Sequence, residues 1–246
     1  MGYHESLTEG RNAVLEAFRS GKTVARLFVL DGCQDGPVKT ILREAKKQDT
    51  MVQYVKKERL DQLSETKNHQ GVIAYCAACE YAEVSDILEN AKKKGEAPFI
   101  VLLDGIEDPH NLGAIIRTAN QAGAHGVIIP KRRAVGLTAT VARTSAGAVN
   151  YTPVAKVTNL VTVMEDLKKE GMWFVCADMD GEEMYSLNLK GPIGLVIGNE
   201  GEGVSRLVKE HCDMVASIPM KGDIDSLNAS VAMGVLAYEI VRQRRF

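Results

Sequence analysis

From Phe99 onward, five short apolar runs constrain the fold more than any other feature of this chain. FIVLL from Phe99, GVIIP from Gly126, WFVCA from Trp173, IGLVIG from Ile193 and MVASIP from Met214 are near-continuous rather than alternating. A strand with one wet face alternates apolar and polar residues, whereas a continuous run is covered on both faces. The pattern predicts an α/β fold with a mostly parallel sheet and helices on both sides. Three polar loops, DPHNLGAIIRTANQAG from Asp108, GLVIGNEGEGVSR from Gly194 and SIPMKGDIDSLNAS from Ser217, sit where strands hand over to helices. Open α/β sheets bind ligands at that carboxyl edge, so the three loops are expected to build one composite site. A long amphipathic helix, Ala229 to Arg245, ends the chain.

The first part has its own alternation. Ser6 or Thr8 is a candidate cap for a helix carrying Val14, Leu15 and Phe18, with Gly21 stopping it. RLFVL from Arg26 reads as a strand. Pro37 stands in a first helical turn, and MVQYV from Met51 is a strand again. A short helix, KERLDQLSE from Lys57, precedes a strand from Gly71. The charged segment that follows, with Lys92, Lys93 and Lys94 before Pro98, reads as a linker helix. The expected organisation is a domain over 1–80, a linker over 81–97 and a second domain over 98–246.

The formal net charge is −2, which excludes a global basic field for nucleic acid. Basic residues cluster locally at Lys131, Arg132 and Arg133 and at Arg242, Arg244 and Arg245, where a solvated surface is the plain reading. No run approaches the roughly 20 apolar residues needed to span a bilayer. The first residues, with His4, Glu5 and Glu9, carry no signal-peptide pattern. Among five cysteines, Cys76 and Cys79 form a CxxC with no second pair and no His at zinc spacing, so ordinary thiols and no metal site are expected. A reducing cytoplasm fits this usage.

Each loop has a bland and a functional reading. Asn111, at a helix start, reads as a cap. Arg117, among Ile116, Ala119 and Ala122, is expected to need a carboxylate or an anion, because a buried unpaired charge is expensive. Gly198, Gly201 and Gly203 follow neither the dinucleotide fingerprint nor the P-loop spacing. Glu200 and Glu202 between them would repel a pyrophosphate, and a neutral or cationic ligand, such as the sulfonium of S-adenosylmethionine, suits them better. The bland reading is a tight turn with an acid at a helix N-terminus. Ser226 and Asn228 are two candidate caps for one helix, which leaves one polar side chain for a ligand.

Together, Asn-x-Gly-x-x-x-Arg-Thr-Ala, Ile-Gly-Asn-Glu-Gly and Ser-Leu-Asn-x-Ser, in that order, resemble the SpoU/TrmH family of ribose 2′-O-methyltransferases, of the SPOUT class. The first part, with NHQGVIA from Asn68, resembles the substrate-binding domain of the RlmB-type 23S rRNA guanosine methyltransferases. The resemblance implies an L30e-like RNA-binding N-terminal domain and a SPOUT catalytic domain with a deep trefoil knot. It implies S-adenosylmethionine bound near Gly198, Asn199, Ile218, Met220 and Leu227, and a homodimer with the site near the interface. Asn111, Arg117, Glu200, Ser226 and Asn228 match the family's catalytic positions. An Arg does not deprotonate at ordinary pH, so Arg117 is expected to orient the 2′-OH and stabilise the developing alkoxide rather than act as a base. RNA contacts are expected at Lys131, Arg132, Arg133 and Arg11, with 23S rRNA favoured and tRNA the alternative. Two other readings stand beside this one. One is a non-catalytic RNA-binding or ribosome-assembly module, and the other is a nucleotide-dependent enzyme, against which the two loop glutamates weigh.

Overall fold

Strand β1 (Ser6–Glu9) stands where the sequence pattern predicts a helix cap at Ser6 or Thr8. In the computed structural model, which describes residues 6–20, 22–33, 35–48, 50–76, 81–223 and 226–246, SLTE pairs antiparallel with a later strand instead. Gly10, at φ 86°, turns the chain directly into α1 (Arg11–Arg19); only glycine takes that conformation without Cβ strain. The expected stop at Gly21 lies outside the described residues.

The other elements of this part are β2 (Val24–Leu30), α2 (Gly36–Lys47), β3 (Met51–Val55), α3 (Lys57–Leu63) and β4 (Val72–Cys76). Asp35 caps α2, with Pro37 in its first turn. The sheet order is β1-β4-β2-β3, with β2 and β3 parallel and β4 antiparallel to both its neighbours. Val14, Phe18, Leu27, Val38, Ile41 and Val72 fill the core between the sheet and the helices α1 and α2. Cys76 is buried in β4, and Cys33, Cys176 and Cys212 are also free thiols; Cys79 lies outside the described residues. The chain divides into two compact units, one of Met1–Glu80 with Val135–Arg143 and the other of Tyr81–Ala134 with Thr144–Phe246.

The second unit begins with α4 (Val84–Lys94). Within 81–97, the segment whose charge pattern suggests a linker, Ile87 is fully buried and Ala91 nearly so. The elements β5 (Phe99–Asp104), α5 (Pro109–Gln121), β6 (Gly126–Pro130), α6 (Ala139–Thr144), β7 (Val154–Val157), α7 (Leu160–Lys169), β8 (Trp173–Glu183), β9 (Ile193–Gly198), α8 (Arg206–Glu210), β10 (Met214–Ser217) and α9 (Ala229–Arg245) complete the chain. All five apolar runs are strands. Two details go beyond them. The four-residue VAKV, interrupted by Lys156, forms β7, and β8 continues past WFVCA so that Glu182 and Glu183 pair with Ala216 and Ser217 across a bulge.

The six strands run in the order β10-β8-β9-β5-β6-β7, and every neighbouring pair is parallel. Ile100, Leu102, Phe174, Cys176 and Val196 pack one face against Ile87 of α4, Met164 and Leu167 of α7 and Val208 of α8. On the other face α5 and α9 pack together, α5 on β6 and α9 on β8 and β9. Both faces are therefore covered, as continuous apolar strands require. At the amino edge, fully buried His125 accepts the Phe99 N–H at Nδ1 (3.0 Å), and its Nε2 lies 3.1 Å from Glu96. Burial holds this imidazole below its ordinary pKa of 6.5, against the pull of Glu96.

Two outcomes are expected. Ile87→Ala should cost about 2–5 kcal/mol in chemical denaturation, the range for a buried large-to-small change, whereas an exposed linker position would stay within about 0.5 kcal/mol. For His125, the folded pKa lies below the unfolded one, so its contribution is full above about pH 6.5 and is lost as pH falls. Urea unfolding at about pH 8 and about pH 5 should show that loss in the wild type, and a smaller loss in His125→Gln.

Candidate active site

The chain leaves β5, β9 and β10 at one edge of the sheet, and three loops meet there. In the first, Asp108 rather than Asn111 caps α5: its Oδ1 accepts the His110 N–H at 3.0 Å, and Pro109 occupies the first turn. Asn111 falls in the first turn of the helix proper, is buried, and its side chain is freed for other work.

The second loop is a turn built on Asn199. Its Oδ1 accepts the N–H groups of Gly201 (2.9 Å) and Glu202 (2.7 Å), and its carbonyl accepts that of Gly203. A Cβ at Gly198 would stand 2.0 Å from the Gly203 carbonyl carbon, so only glycine lets the loop fold back on its own strand. Neither Glu200 nor Glu202 begins a helix; α8 starts later, at Arg206. The loop is pinned to β5 by Asp104, whose Oδ2 accepts the Ser205 N–H at 2.8 Å.

In the third loop Asn228 caps α9, its Oδ1 accepting the Ser230 N–H (3.0 Å) and hydroxyl (2.6 Å). The same side chain donates from Nδ2 to Asn111 Oδ1 (3.0 Å) and to Glu200 Oε1 (3.1 Å). Asn111 Nδ2 in turn donates to Glu200 Oε1. Asn111, Glu200 and Asn228 thus form a closed polar triangle, one corner from each loop. Glu200 Oε2 accepts nothing from the described residues.

Arg117 and Ser226 stand outside this triangle. Arg117 is not buried among Ile116, Ala119 and Ala122. It is exposed, without a hydrogen-bond or ion-pair partner among the described residues. The reason is helical geometry: six residues at 3.6 per turn place it about a third of a turn away from Asn111. Ser226 is exposed on the wall of the adjoining cavity, with no hydrogen bond among the described residues.

That cavity has a volume of about 660 Å³. Gly198, Asn199, Ile218, Met220 and Leu227 all line it, together with Glu200 and Ser226. Its charged lining is one-signed: Asp178, Glu183, Glu200 and Glu202, with no Lys or Arg among the described residues. Lys209 reaches Asp178 from behind at 2.7 Å. Burial pushes the Asp178 carboxyl up, but Lys209 and the Asp180 N–H together hold it below the ordinary carboxylate range. The other three carboxylates have no salt-bridge partner among the described residues, so the cavity suits a ligand with positive charge and disfavours phosphates. The apolar run of β8 hides its polar end: Asp178 and Glu183 line the cavity, and Asp104 holds the loop beside it. An acid directly after an apolar run, as in FVCAD and VLLD, is the signal that marks Asp178 and Asp104. Among the described residues no group of His, Cys, Asp or Glu could hold a metal ion, and no helix is long and apolar enough to cross a membrane.

Asn228→Ala should remove the α9 cap, worth about 0.5–2 kcal/mol, and leave Asn111 and Glu200 without a common donor. The expected result is a thermal destabilisation larger than that of Ser226→Ala, which breaks no hydrogen bond; equal effects would deny the triangle its structural role.

Comparison with known proteins gives this edge a family. Residues 98–238 match the model of the SpoU rRNA methylase family, and residues 7–82 match the RNA 2′-O ribose methyltransferase substrate-binding model. YacO of Bacillus subtilis, a relative in the TrmH family of tRNA/rRNA methyltransferases, is 49% identical over 237 residues, 96% of this chain and 94% of that protein. The crystal structure of the SpoU methyltransferase AviRb from Streptomyces viridochromogenes, in complex with the cofactor AdoMet, aligns with TM-score 0.63 and 27% identity. That alignment covers 98% of this chain and 91% of AviRb. The TrmH/SpoU tRNA-modifying enzyme of A. aeolicus aligns with TM-score 0.55 and 27% identity, over 65% of this chain and 84% of that one. The chain belongs to the SpoU methylase family.

Proposed function

We propose that this SpoU-family RNA methyltransferase uses S-adenosylmethionine to methylate a ribose 2′-oxygen, that of a guanosine in 23S rRNA. The observation that carries the reading is the one-signed carboxylate cavity, whose Glu200 is fixed by Asn111 and Asn228. A sulfonium ligand meets its electrostatics, and AviRb, of the same fold, binds AdoMet. The glycine-only turn at Gly198 leaves backbone rather than side chains along one wall, suited to a flat heterocycle.

When bound, S-adenosylmethionine supplies an electrophilic methyl group on a positively charged sulfur. The protein's own residues do the rest. Gly198, Asn199, Ile218, Met220 and Leu227 form the cavity wall that holds the cofactor. Glu200, fixed by two amide donors, keeps its second oxygen for a cationic or hydroxyl group. Ser226 offers a hydroxyl at the rim. Arg117 would orient the ribose hydroxyl and donate hydrogen bonds to its oxygen as negative charge gathers there; as a guanidinium it takes no proton. Fixing the oxygen in line with the methyl carbon supplies much of the rate.

Arg117 faces away from the triangle of its own chain, which supports a homodimer in which it serves the partner's site. Exposed Val231 (49%) and Tyr238 (50%) on α9 add apolar surface for such an interface. Residues 1–80, as an L30e-like domain, hold the RNA, and residues 98–246 carry out the chemistry. After β9 the chain crosses to the outer edge as β10 and returns as α9 over β9, a path that supports a trefoil knot. An RNA substrate puts the enzyme's work in the cytoplasm. A separate substrate-binding domain beside the catalytic one is the ground for preferring rRNA, while the likeness to a tRNA-modifying enzyme over 65% of this chain keeps tRNA as the second reading.

The test is methyl transfer from labelled S-adenosylmethionine to unmodified 23S rRNA and to tRNA, with nucleoside analysis. The expected product is 2′-O-methylguanosine in 23S rRNA alone. The same product in tRNA overturns the substrate, and no transfer to either overturns the reading. Arg117→Ala should lower turnover roughly 100-fold, the scale of losing one transition-state donor, with RNA binding retained.

A further inference from the structure

In the first unit, four residues before β4 form the only place among its described residues where non-glycine backbone takes positive φ. Lys67 stands at 59° and Gln70 at 51°. Such strain persists only where the surroundings enforce it, and it concentrates at functional surfaces. The enforcing contacts are all here. Glu9, at the end of β1, accepts the Glu65 N–H (2.7 Å), the Thr66 N–H (3.2 Å), the Thr66 hydroxyl (2.9 Å) and the Ser64 hydroxyl. His69 is buried, accepts the Gly71 N–H at Nδ1 (3.0 Å) and lies 3.0 Å from Asp61 through Nε2. Arg11 donates from its backbone N–H to Gln70 Oε1 (3.2 Å) and from Nε to the Gln70 carbonyl (3.0 Å).

The groups that this scaffold presents outward are unpartnered. The Lys67 ammonium and the Asn68 side-chain amide are exposed and make no hydrogen bond with the described residues. The six hydrogen bonds with Glu9 and Arg11 fix the backbone on either side of the turn, at Ser64 to Thr66 and at Gln70, and leave the Lys67 and Asn68 side chains free toward solvent. We propose that the Lys67–Gln70 turn is the contact element of this unit for structured RNA, with Lys67 on a phosphodiester and the Asn68 amide on a neighbouring 2′-hydroxyl. Shape, phosphate and 2′-OH contacts are how folded RNA is read, and the low aromatic content, 5%, offers no stacking platform instead. This assignment rests on the proposed function as an RNA methyltransferase, and adds the element that grips.

The test is binding of unmodified 23S rRNA to the full-length protein across a salt series, with methyl transfer measured separately. Lys67→Ala should weaken binding by about three- to tenfold and lower the salt slope by about 1. Lys39→Ala, an exposed lysine on α2, should leave both unchanged, as should S-adenosylmethionine affinity in every variant. Glu9→Ala is the sharper variant. It removes a negative charge, which by bulk electrostatics would tighten RNA binding; release of the loop should weaken it instead. Equal losses at Lys39 and Lys67, or unchanged affinity in Lys67→Ala, overturn the assignment while leaving methylation intact. RNA binding that depends on Lys67 without methyl transfer keeps the assignment and removes the enzymatic reading.

Discussion

The amide of Asn228 joins segments 28 and 117 residues away from it in sequence. An amide group has two donor hydrogens and an oxygen with two lone pairs, and here all four are used. The oxygen faces the Ser230 N–H and hydroxyl, while the nitrogen faces Asn111 and a carboxylate. A backbone N–H can only donate and a carboxylate can only accept, so this amide can face only one way. Its orientation therefore sets the start of α9, the position of Glu200 and the rotamer of Asn111 together. One side chain thus links all three loops, beside the direct bond from Asn111 to Glu200.

The same arrangement explains why the cavity is acidic without being unstable. Glu200 is held by two neutral amide donors rather than by a cation, so its charge stays available to a ligand. Asp178 alone is matched, by Lys209. An ion pair at every carboxylate would have neutralised the cavity and favoured no ligand charge. The Arg117 guanidinium stands about a third of a turn from Asn111 on α5 and is exposed, without an ion pair to Glu200 of its own chain.

Strand runs and loop order were legible in the sequence because both depend on local pattern. Continuous apolar runs mark buried parallel strands, and Gly, Asn and Ser mark the loops after them. Partners were not legible. Asn111 reads as a cap by position, yet Asp108 and Pro109 already start the helix and leave its amide to pair across the site. Arg117 reads as buried because its sequence neighbours are apolar, but a helix alternates faces every few residues and only tertiary packing decides which face is inside. VAKV is too short, with Lys156 breaking its apolar run, to announce β7, and SLTE becomes a strand only because β4 is there to pair with it. In each case the missing information is a contact with a distant segment.

One device recurs within each unit. An acceptor side chain at or just after a strand's carboxyl end takes backbone N–H groups of a loop: Glu9 at the end of β1, Asp104 at the end of β5, Asn199 after β9. A loop N–H left unsatisfied away from water costs about 1–3 kcal/mol, so the acceptor selects one loop conformation from many. The strand fixes the acceptor, and the acceptor fixes the loop. Ordering that occurs on folding does not have to occur again when a ligand arrives, which lowers the entropic cost of binding. A site for a long, mobile polymer gains most from this, because the polymer brings its own disorder and the protein adds little.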